Sequence, residues 1–169
     1  ALAIPLAIRA GLGEYGRHGM VITPEYGPRV RFGKVFTDLP VAFDRPVEFG
    51  VTRFCESCRR CTNACPPGAI PDAGPVAVKL NRSSIGGVRK WSVDGEKCFS
   101  YWAQIANDCM ICMRVCPYNK DFSWLRHRIG RRLAGTRLRG FMLWLEDRIG
   151  YGKRLRPRDW WAGRDSRPT

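Results

Sequence analysis

The sequence predicts an α+β fold with a small cysteine-rich module, residues 51–120, between an N-terminal part, residues 1–50, and a basic helical tail, residues 121–169. Three observations predict it. All eight cysteines fall in two groups within residues 55–116. Short apolar runs bounded by glycine and proline precede the first group and indicate strands. An apolar stripe at helical spacing follows the second group and indicates a helix.

The first cysteine group has a spacing that is typical of one kind of site. It reads C-x₂-C-x₂-C-x₃-C-P and comprises Cys55, Cys58, Cys61 and Cys65, followed by Pro66. This is the run of bacterial two-cluster ferredoxins, in which the fourth cysteine ligates the other cluster. The second group, Cys98, Cys109, Cys112 and Cys116 followed by Pro117, is an incomplete copy of it.

The ferredoxin pattern predicts which cysteines share a cluster, since each cluster takes three ligands from one run and one from the other. Cluster 1 is expected to be held by Cys55, Cys58, Cys61 and Cys116. Cluster 2 is expected to be held by Cys65, Cys98, Cys109 and Cys112. Cys98 precedes Cys109 by eleven residues instead of three, so a helix is predicted between them. The apolar side chains Ile70, Ile111 and Val115 are expected to keep water from the clusters.

Two other uses of eight cysteines are possible. Disulfides between cysteines three residues apart require strained geometry. Zinc usually takes two separated C-x₂-C pairs, whereas three cysteines of the first run lie within seven residues. The pattern therefore favours two [4Fe-4S] clusters, with zinc as the main alternative.

The segments around the cysteines give less specific predictions. Residues 1–20 predict a helix followed by glycine-rich turns, in which His18 is expected to be solvated. Strands are predicted at 21–22, around 30–36 and at 88–93, and a helix from about residue 97. Arg29 and Arg31 alternate with apolar strand positions, so they either serve an anion or cofactor pocket or lie on an exposed strand face.

The positive charge and the tail are compatible with several kinds of binding partner. The net charge is +14, which suits an acidic electron donor, an anionic membrane or RNA as well as plain solvation. The tail has an apolar stripe of Leu138, Phe141, Met142, Leu145 and Ile149. We expect it to pack on the module in preference to a membrane, with Trp160 and Trp161 fastening the tail.

Because the chain opens with Ala1 inside an apolar helix-like pattern, we expect a fragment whose upstream part is missing, with a processed start as the alternative.

Several segments together resemble cobalamin-dependent reductive dehalogenases. Residues 87–102 and 107–120 resemble the segments around that family's second cluster, and residues 19–34 resemble the end of its cobalamin domain. Residues 150–153 and 160–161 resemble its tail. Residues 91–101 are the most specific part, because the ferredoxin run itself is common. The resemblance implies that residues 1–50 are the end of an α/β corrinoid-binding domain.

The resemblance also implies a function. A donor reduces the clusters, electrons pass to cobalamin, and an organohalide loses halide and gains a proton. A tyrosine is the family's proton donor, and no residue of this chain is assigned to that role. Arg29 and Arg31 are candidates for the corrinoid or substrate pocket. Expected partners are an electron donor protein or membrane quinol system and a membrane anchor protein, with no nucleic acid. The expected location is the outer face of the cytoplasmic membrane for a respiratory enzyme and the cytoplasm for a catabolic one.

Two rival functions remain from the sequence. Epoxyqueuosine reductases also combine cobalamin with two such clusters but act on tRNA, which a basic surface would suit. A plain ferredoxin-type electron-transfer module is the other rival, and the long flanks on both sides of residues 51–118 speak against it.

Overall fold

The computed structural model describes residues 3–151, which are mainly helical with very little strand. The N-terminal part contains α1 (Ala3–Arg9), β1 (Glu14–Tyr15) and β2 (Val21–Ile22). The cysteine-bearing helices are α2 (Val51–Cys58), α3 (Arg60–Ala64), α4 (Gly95–Ile105) and α5 (Ile111–Arg114). Two further helices follow, α6 (Leu125–Ala134) and α7 (Arg139–Ile149).

A small hairpin joins the N-terminal part to the cysteine module. β1 and β2 pair antiparallel, with Tyr15 opposite Val21, so the strand predicted at 21–22 is confirmed. Ile22 is completely buried and packs in one core with Val51 and Phe54 of α2. Residues on both sides of position 50 therefore share a single apolar core.

That core is dominated by aromatic side chains placed next to the cysteines. Trp91, Tyr118 and Phe54 are the largest fully buried side chains. The rings of Phe54 and Tyr118 meet edge to face with centroids 5.3 Å apart, a favoured arrangement for aromatic pairs. The Tyr15 hydroxyl donates to the Trp91 carbonyl at 3.1 Å and links the hairpin to the loop before α4.

Two of the predicted strands do not form. Residues 30–36 make no strand, and Val35 and Phe36 are 90% and 84% exposed. Within residues 88–93 the ladder is reduced to one isolated bridge between Lys90 and Val76. Alternating apolar residues favour a strand only where a neighbouring strand supplies hydrogen bonds, and none lies beside these segments in the described part of the chain.

The helix predicted between Cys98 and Cys109 is confirmed as α4. It begins where the Asp94 side chain accepts a hydrogen bond from the Lys97 amide at 3.1 Å, the usual N-cap interaction. It ends at Ala106, which has a left-handed backbone with φ of 49°. Its aromatic side chains differ in burial, since Phe99 is 69% exposed whereas Tyr101 and Trp102 are half-buried.

The tail helix α7 is held by charge more than by its apolar stripe. Glu146 is buried and accepts from Arg60 at 2.8 Å, and it also contacts the Lys120 ammonium. Arg60 reaches Asp147 as well, at 2.6 Å. These pairs join α7 to α3 and to the end of the second cysteine run.

The prediction that the apolar stripe packs on the module is wrong for most of its members. Met142 is buried, but four stripe residues are exposed among residues 3–151: Leu138, Phe141, Leu145 and Ile149. The reason is that α7 turns Met142 and Glu146 inward, which leaves the adjoining face outside. Trp160 and Trp161 lie outside the described residues. No helix within residues 3–151 is long and apolar enough to span a membrane.

Helix α2, which carries Cys55, is capped by a residue far away in sequence. Its own N-cap residue, Gly50, has φ of 89° and offers no side-chain cap. The buried carboxylate of Glu14 instead accepts from the amides of Phe49, Val51 (3.2 Å) and Thr52 (3.3 Å). A carboxylate at a helix N-terminus satisfies free amides and complements the helix dipole.

Glu14→Ala is therefore expected to destabilise the protein by about 2 kcal/mol, because buried amides lose a charged acceptor. Urea unfolding under anaerobic conditions measures this as a lower midpoint. Glu48→Ala is the matched control, since Glu48 is exposed and its removal should change stability by less than about 0.5 kcal/mol. Equal midpoints for the two variants would contradict the capping role.

Candidate metal centres

The first cysteine run is shaped by a left-handed residue between two short helices. Cys58 ends α2, and Arg59, with φ of 52°, turns the chain into α3, which carries Cys61. A residue other than glycine in this conformation is unfavourable. The Arg59 guanidinium is held in place by the Asp72 carboxylate, with Nε donating at 2.7 Å.

The second run repeats this geometry. Cys109 is followed by Met110, with φ of 47°, and then by α5 with Cys112, just as Cys58 is followed by Arg59 and α3. Helices α3 and α5 pack against each other. Three residues before Cys109, where the first run has Cys55, stands the exposed Ala106. The thiol missing at that position has its counterpart in Cys98, carried by α4.

The structure brings together the four cysteines predicted for cluster 1. They line one cavity beside α2: Cys55, Cys58, Cys61 and Cys116. Its other walls are formed by Arg17, His18, Phe54, Arg59, Pro117 and Tyr118. We call this the first cysteine cavity. The fourth thiol therefore comes from the opposite run, as the interlocked pattern requires.

The cysteines predicted for cluster 2 are also neighbours. Burial raises the pKa of the Cys98 thiol, and the nearby Cys65 and Cys109 raise it further. Cys112 has a pKa raised to about 12, first by burial and then by charges that include Cys98 and Cys109. The Ala69 amide donates to the Cys65 sulfur at 3.3 Å.

Apolar side chains surround this second group, as predicted. Ile70 and Val115 are 5% and 1% exposed, and Ile111 packs against them with Cys65 and Cys112. Cys61 belongs to the same apolar cluster, so the two cysteine groups adjoin. Exclusion of water at this boundary is one means of setting a cluster's reduction potential.

Burial keeps the thiols around the first cysteine cavity protonated. It raises the pKa of Cys55 to about 12 and that of Cys58 to about 11, and it raises the pKa of Cys116 even more strongly. A thiol must lose its proton to ligate a metal. Loading either site should therefore release protons.

The walls of the first cysteine cavity contain two buried hydrogen-bond donors that suit a bound cluster. They are His18 Nε2 and the Tyr118 hydroxyl, and neither finds an acceptor among the described residues. Sulfide and thiolate of a bound cluster are acceptors.

Comparisons with known proteins agree with this geometry. Residues 54–119 match the family model described as a 4Fe-4S double cluster binding domain. Over 163 residues, covering 96% of this chain and 32% of the relative, the sequence is 37% identical to a tetrachloroethene reductive dehalogenase of Sulfurospirillum multivorans. A solved B12-dependent reductive dehalogenase superimposes with a TM-score of 0.76 at 33% identity, over 89% of this chain and 21% of that one.

The chain is similar, along almost its whole length, to one part of the reductive dehalogenases. It spans about a third or less of the length of the relatives it matches, namely 32% of the Sulfurospirillum protein and 24% of a 42% identical tetrachloroethene reductive dehalogenase of Desulfitobacterium hafniense. The match to epoxyqueuosine reductase of Lactococcus garvieae is weaker, at 32% identity over 71% of this chain.

Two residues predicted for a corrinoid or substrate pocket are exposed on the surface. Arg29 is exposed and donates to the Lys120 carbonyl at 3.0 Å. Arg31 is exposed too. Neither lines the first cysteine cavity, and their role stays a prediction.

Sequence reasoning missed Arg17 and misjudged His18. Both lie on the loop between β1 and β2 and are 2% and 5% exposed, so the expectation that His18 is solvated is wrong. The available signal was their place between Gly16 and Gly19, because glycines allow a loop to approach a neighbour closely. Gly19 has φ of 83°.

Proposed function

We propose that this chain is the electron-delivering part of a reductive dehalogenase, adjoining the end of a corrinoid-binding domain within residues 1–50. The observation that carries the proposal is the interlocked pair of cysteine runs, in which Cys116 joins Cys55, Cys58 and Cys61 around one cavity. The reaction class is inferred from the sequence similarity to dehalogenases, which extends along almost the whole chain.

The proposed ligands follow from this arrangement. Cluster 1 is held by Cys55, Cys58, Cys61 and Cys116. Cluster 2 is held by Cys65, Cys98, Cys109 and Cys112. The prolines after each fourth cysteine lack an amide proton, and the apolar residues Ile70 and Val115 exclude water.

When bound, the clusters carry single electrons and a corrinoid supplies the carbon–halogen cleavage. The overall reaction consumes two electrons and one proton: the organohalide R–X becomes R–H and halide X⁻. The chain's own residues hold the clusters, exclude water and set their potentials. An organohalide substrate, an electron donor or membrane quinol system and a membrane anchor protein are the proposed partners.

The test is anaerobic purification of the full-length protein, followed by metal analysis and an activity assay. We expect about eight iron and eight sulfide per chain, as for two [4Fe-4S] clusters, together with about one corrinoid. Reduced viologen should be oxidised on addition of chlorinated or brominated substrates, with stoichiometric release of halide.

Three other results would each contradict the proposal. Iron and sulfide without cobalt indicate a plain electron-transfer module. Reduction of epoxyqueuosine in tRNA without halide release indicates the tRNA-modifying rival. A colourless protein with about two zinc ions indicates structural zinc sites.

A further inference from the structure

Arg17 is a buried cation with no carboxylate partner among the described residues. Its guanidinium donates to backbone carbonyls only. The acceptors are Cys55 (3.0 Å), Pro71 (2.9 Å), Asp72 (3.0 Å), Ala73 (3.1 Å) and Glu56 (3.5 Å). The indole of Trp91 lies 5.1 Å from the guanidinium carbon. A buried charge without a counterion is unfavourable, so an anionic group next to it should be part of the working protein.

The cysteines of the first run supply that anionic group when they hold a cluster. Arg17 lines the first cysteine cavity together with Cys55, Cys58, Cys61 and Cys116. The acceptors of its hydrogen bonds lie on α2 and on residues 71–73, and none lies on residues 98–112, which carry three of the cysteines proposed for cluster 2. The Arg17 charge is therefore placed at one of the two cluster sites.

Other cations near the first cysteine cavity are compensated. Arg59 is paired with Asp72 and is about half exposed. Arg60, which acts on Cys58, is paired with Glu146 and Asp147. Of the two arginines that line the first cysteine cavity, Arg17 is the one without a carboxylate partner among the described residues.

His18 adds a neutral donor on the same wall. Its Nδ1 accepts from the Met20 amide at 3.2 Å, so the proton of the neutral ring is on Nε2. Burial lowers the pKa of His18 to about 4, which keeps the ring neutral at physiological pH. Nε2 has no acceptor within the described residues, and His18 lines the first cysteine cavity.

We propose that Arg17 and His18 are positioning residues that raise the reduction potential of cluster 1 above that of cluster 2. This rests on the proposed function, because it requires both clusters. Reduction adds a negative charge to a cluster, and a nearby buried cation stabilises that charge. A buried N–H donor in the wall of the first cysteine cavity acts in the same direction when it hydrogen-bonds to a cluster sulfur. An electron entering the pair therefore resides first on cluster 1.

The experiment is a redox titration followed by electron paramagnetic resonance on the anaerobically purified full-length protein. Two one-electron components should be resolved in the unsubstituted protein. R17Q should lower the reduction equilibrium constant of the higher-potential component by about tenfold, equal to about 59 mV, and leave the other unchanged. H18L should lower the same component by less, and R17K should restore most of the loss. R53Q is the matched control and should leave both midpoints unchanged, since Arg53 is an exposed arginine of α2 that does not line the cavity.

Unchanged midpoints in R17Q and H18L, or equal shifts of both clusters, overturn the proposal if iron content is unaltered. If R17Q loses iron, H18L decides, because an unchanged higher midpoint in that variant overturns the proposal as well. Failure of the proposed function is distinguishable, because it is seen in the unsubstituted protein. Either the cluster signals are missing, or both signals are present without corrinoid or halide release. In the second case the potentials of the variants can still be compared.

Discussion

Cys116→Ala is expected to abolish the cluster of the first cysteine run, although Cys116 belongs to the second run. The reason is its place in the first cysteine cavity beside Cys55, Cys58 and Cys61, which leaves that cluster three ligands after the substitution. Iron should fall from about eight to about four per chain. Under the proposed function, halide release by the full-length protein should fall by more than about 100-fold, because even substitutions behind a metal ligand cost 10–100-fold. Iron analysis and electron paramagnetic resonance measure the first effect, and halide release measures the second.

Cys98→Ala is the matched comparison for this prediction. Cys98 lies on α4 next to Cys65 and Cys109, so its loss should affect the other spectroscopic component. The signal lost in Cys116→Ala should also be the one of higher potential. If both variants lose the same signal, or if Cys116→Ala keeps both, the interlocked assignment is wrong.

Gly27→Ala is expected to destabilise the protein by more than about 3 kcal/mol, since strain of about 1–2 kcal/mol in the left-handed region adds to a backbone clash. Gly27 has φ of 61°, and an added Cβ would run into the Tyr118 carbonyl. Tyr118 lies two residues after Cys116, whose carbonyl accepts from the Asn119 amide at 2.9 Å. Displacement of Tyr118 should therefore disturb Cys116, and iron content should fall together with the urea midpoint.

Gly68→Ala measures the strain of a left-handed backbone without a steric clash of the added Cβ. Gly68 also has φ of 61°, but nothing lies within 4 Å of the position of its Cβ. This variant should lose only about 1 kcal/mol, from the left-handed backbone alone, and should retain its iron. Similar losses in the two variants would mean that the approach of Gly27 to Tyr118 is unimportant.

The predictions that succeeded depend on spacing along the chain. The helix before Cys109 follows from apolar residues at helical intervals, and the structure adds Asp94 as its cap. The pairing of Cys116 with the first run follows from the ferredoxin pattern, and the structure places these thiols around one cavity. Their ligation of a cluster stays a proposal.

The predictions that failed depend on neighbours that a local pattern does not contain. The alternation at 30–36 looks like a strand, yet no described strand lies alongside to accept its hydrogen bonds. The stripe on α7 looks like a packing face, yet Glu146 and its partners Arg60 and Lys120 turn the helix so that Phe141 is 59% exposed. Local periodicity is a weak guide when ion pairs from distant segments choose the buried face.

By itself, the sequence determined the identity and order of the proposed cluster ligands, because cysteine spacing is a local property of the chain. Only the tertiary structure decided what surrounds them. It carried Glu14 to the start of α2, 37 residues away from Val51, and buried Arg17 and His18 against the first cysteine cavity. Burial and charge pairing arise from contacts between segments far apart in the chain. They make the two cysteine sites unequal, although the two runs that supply them are copies of one pattern.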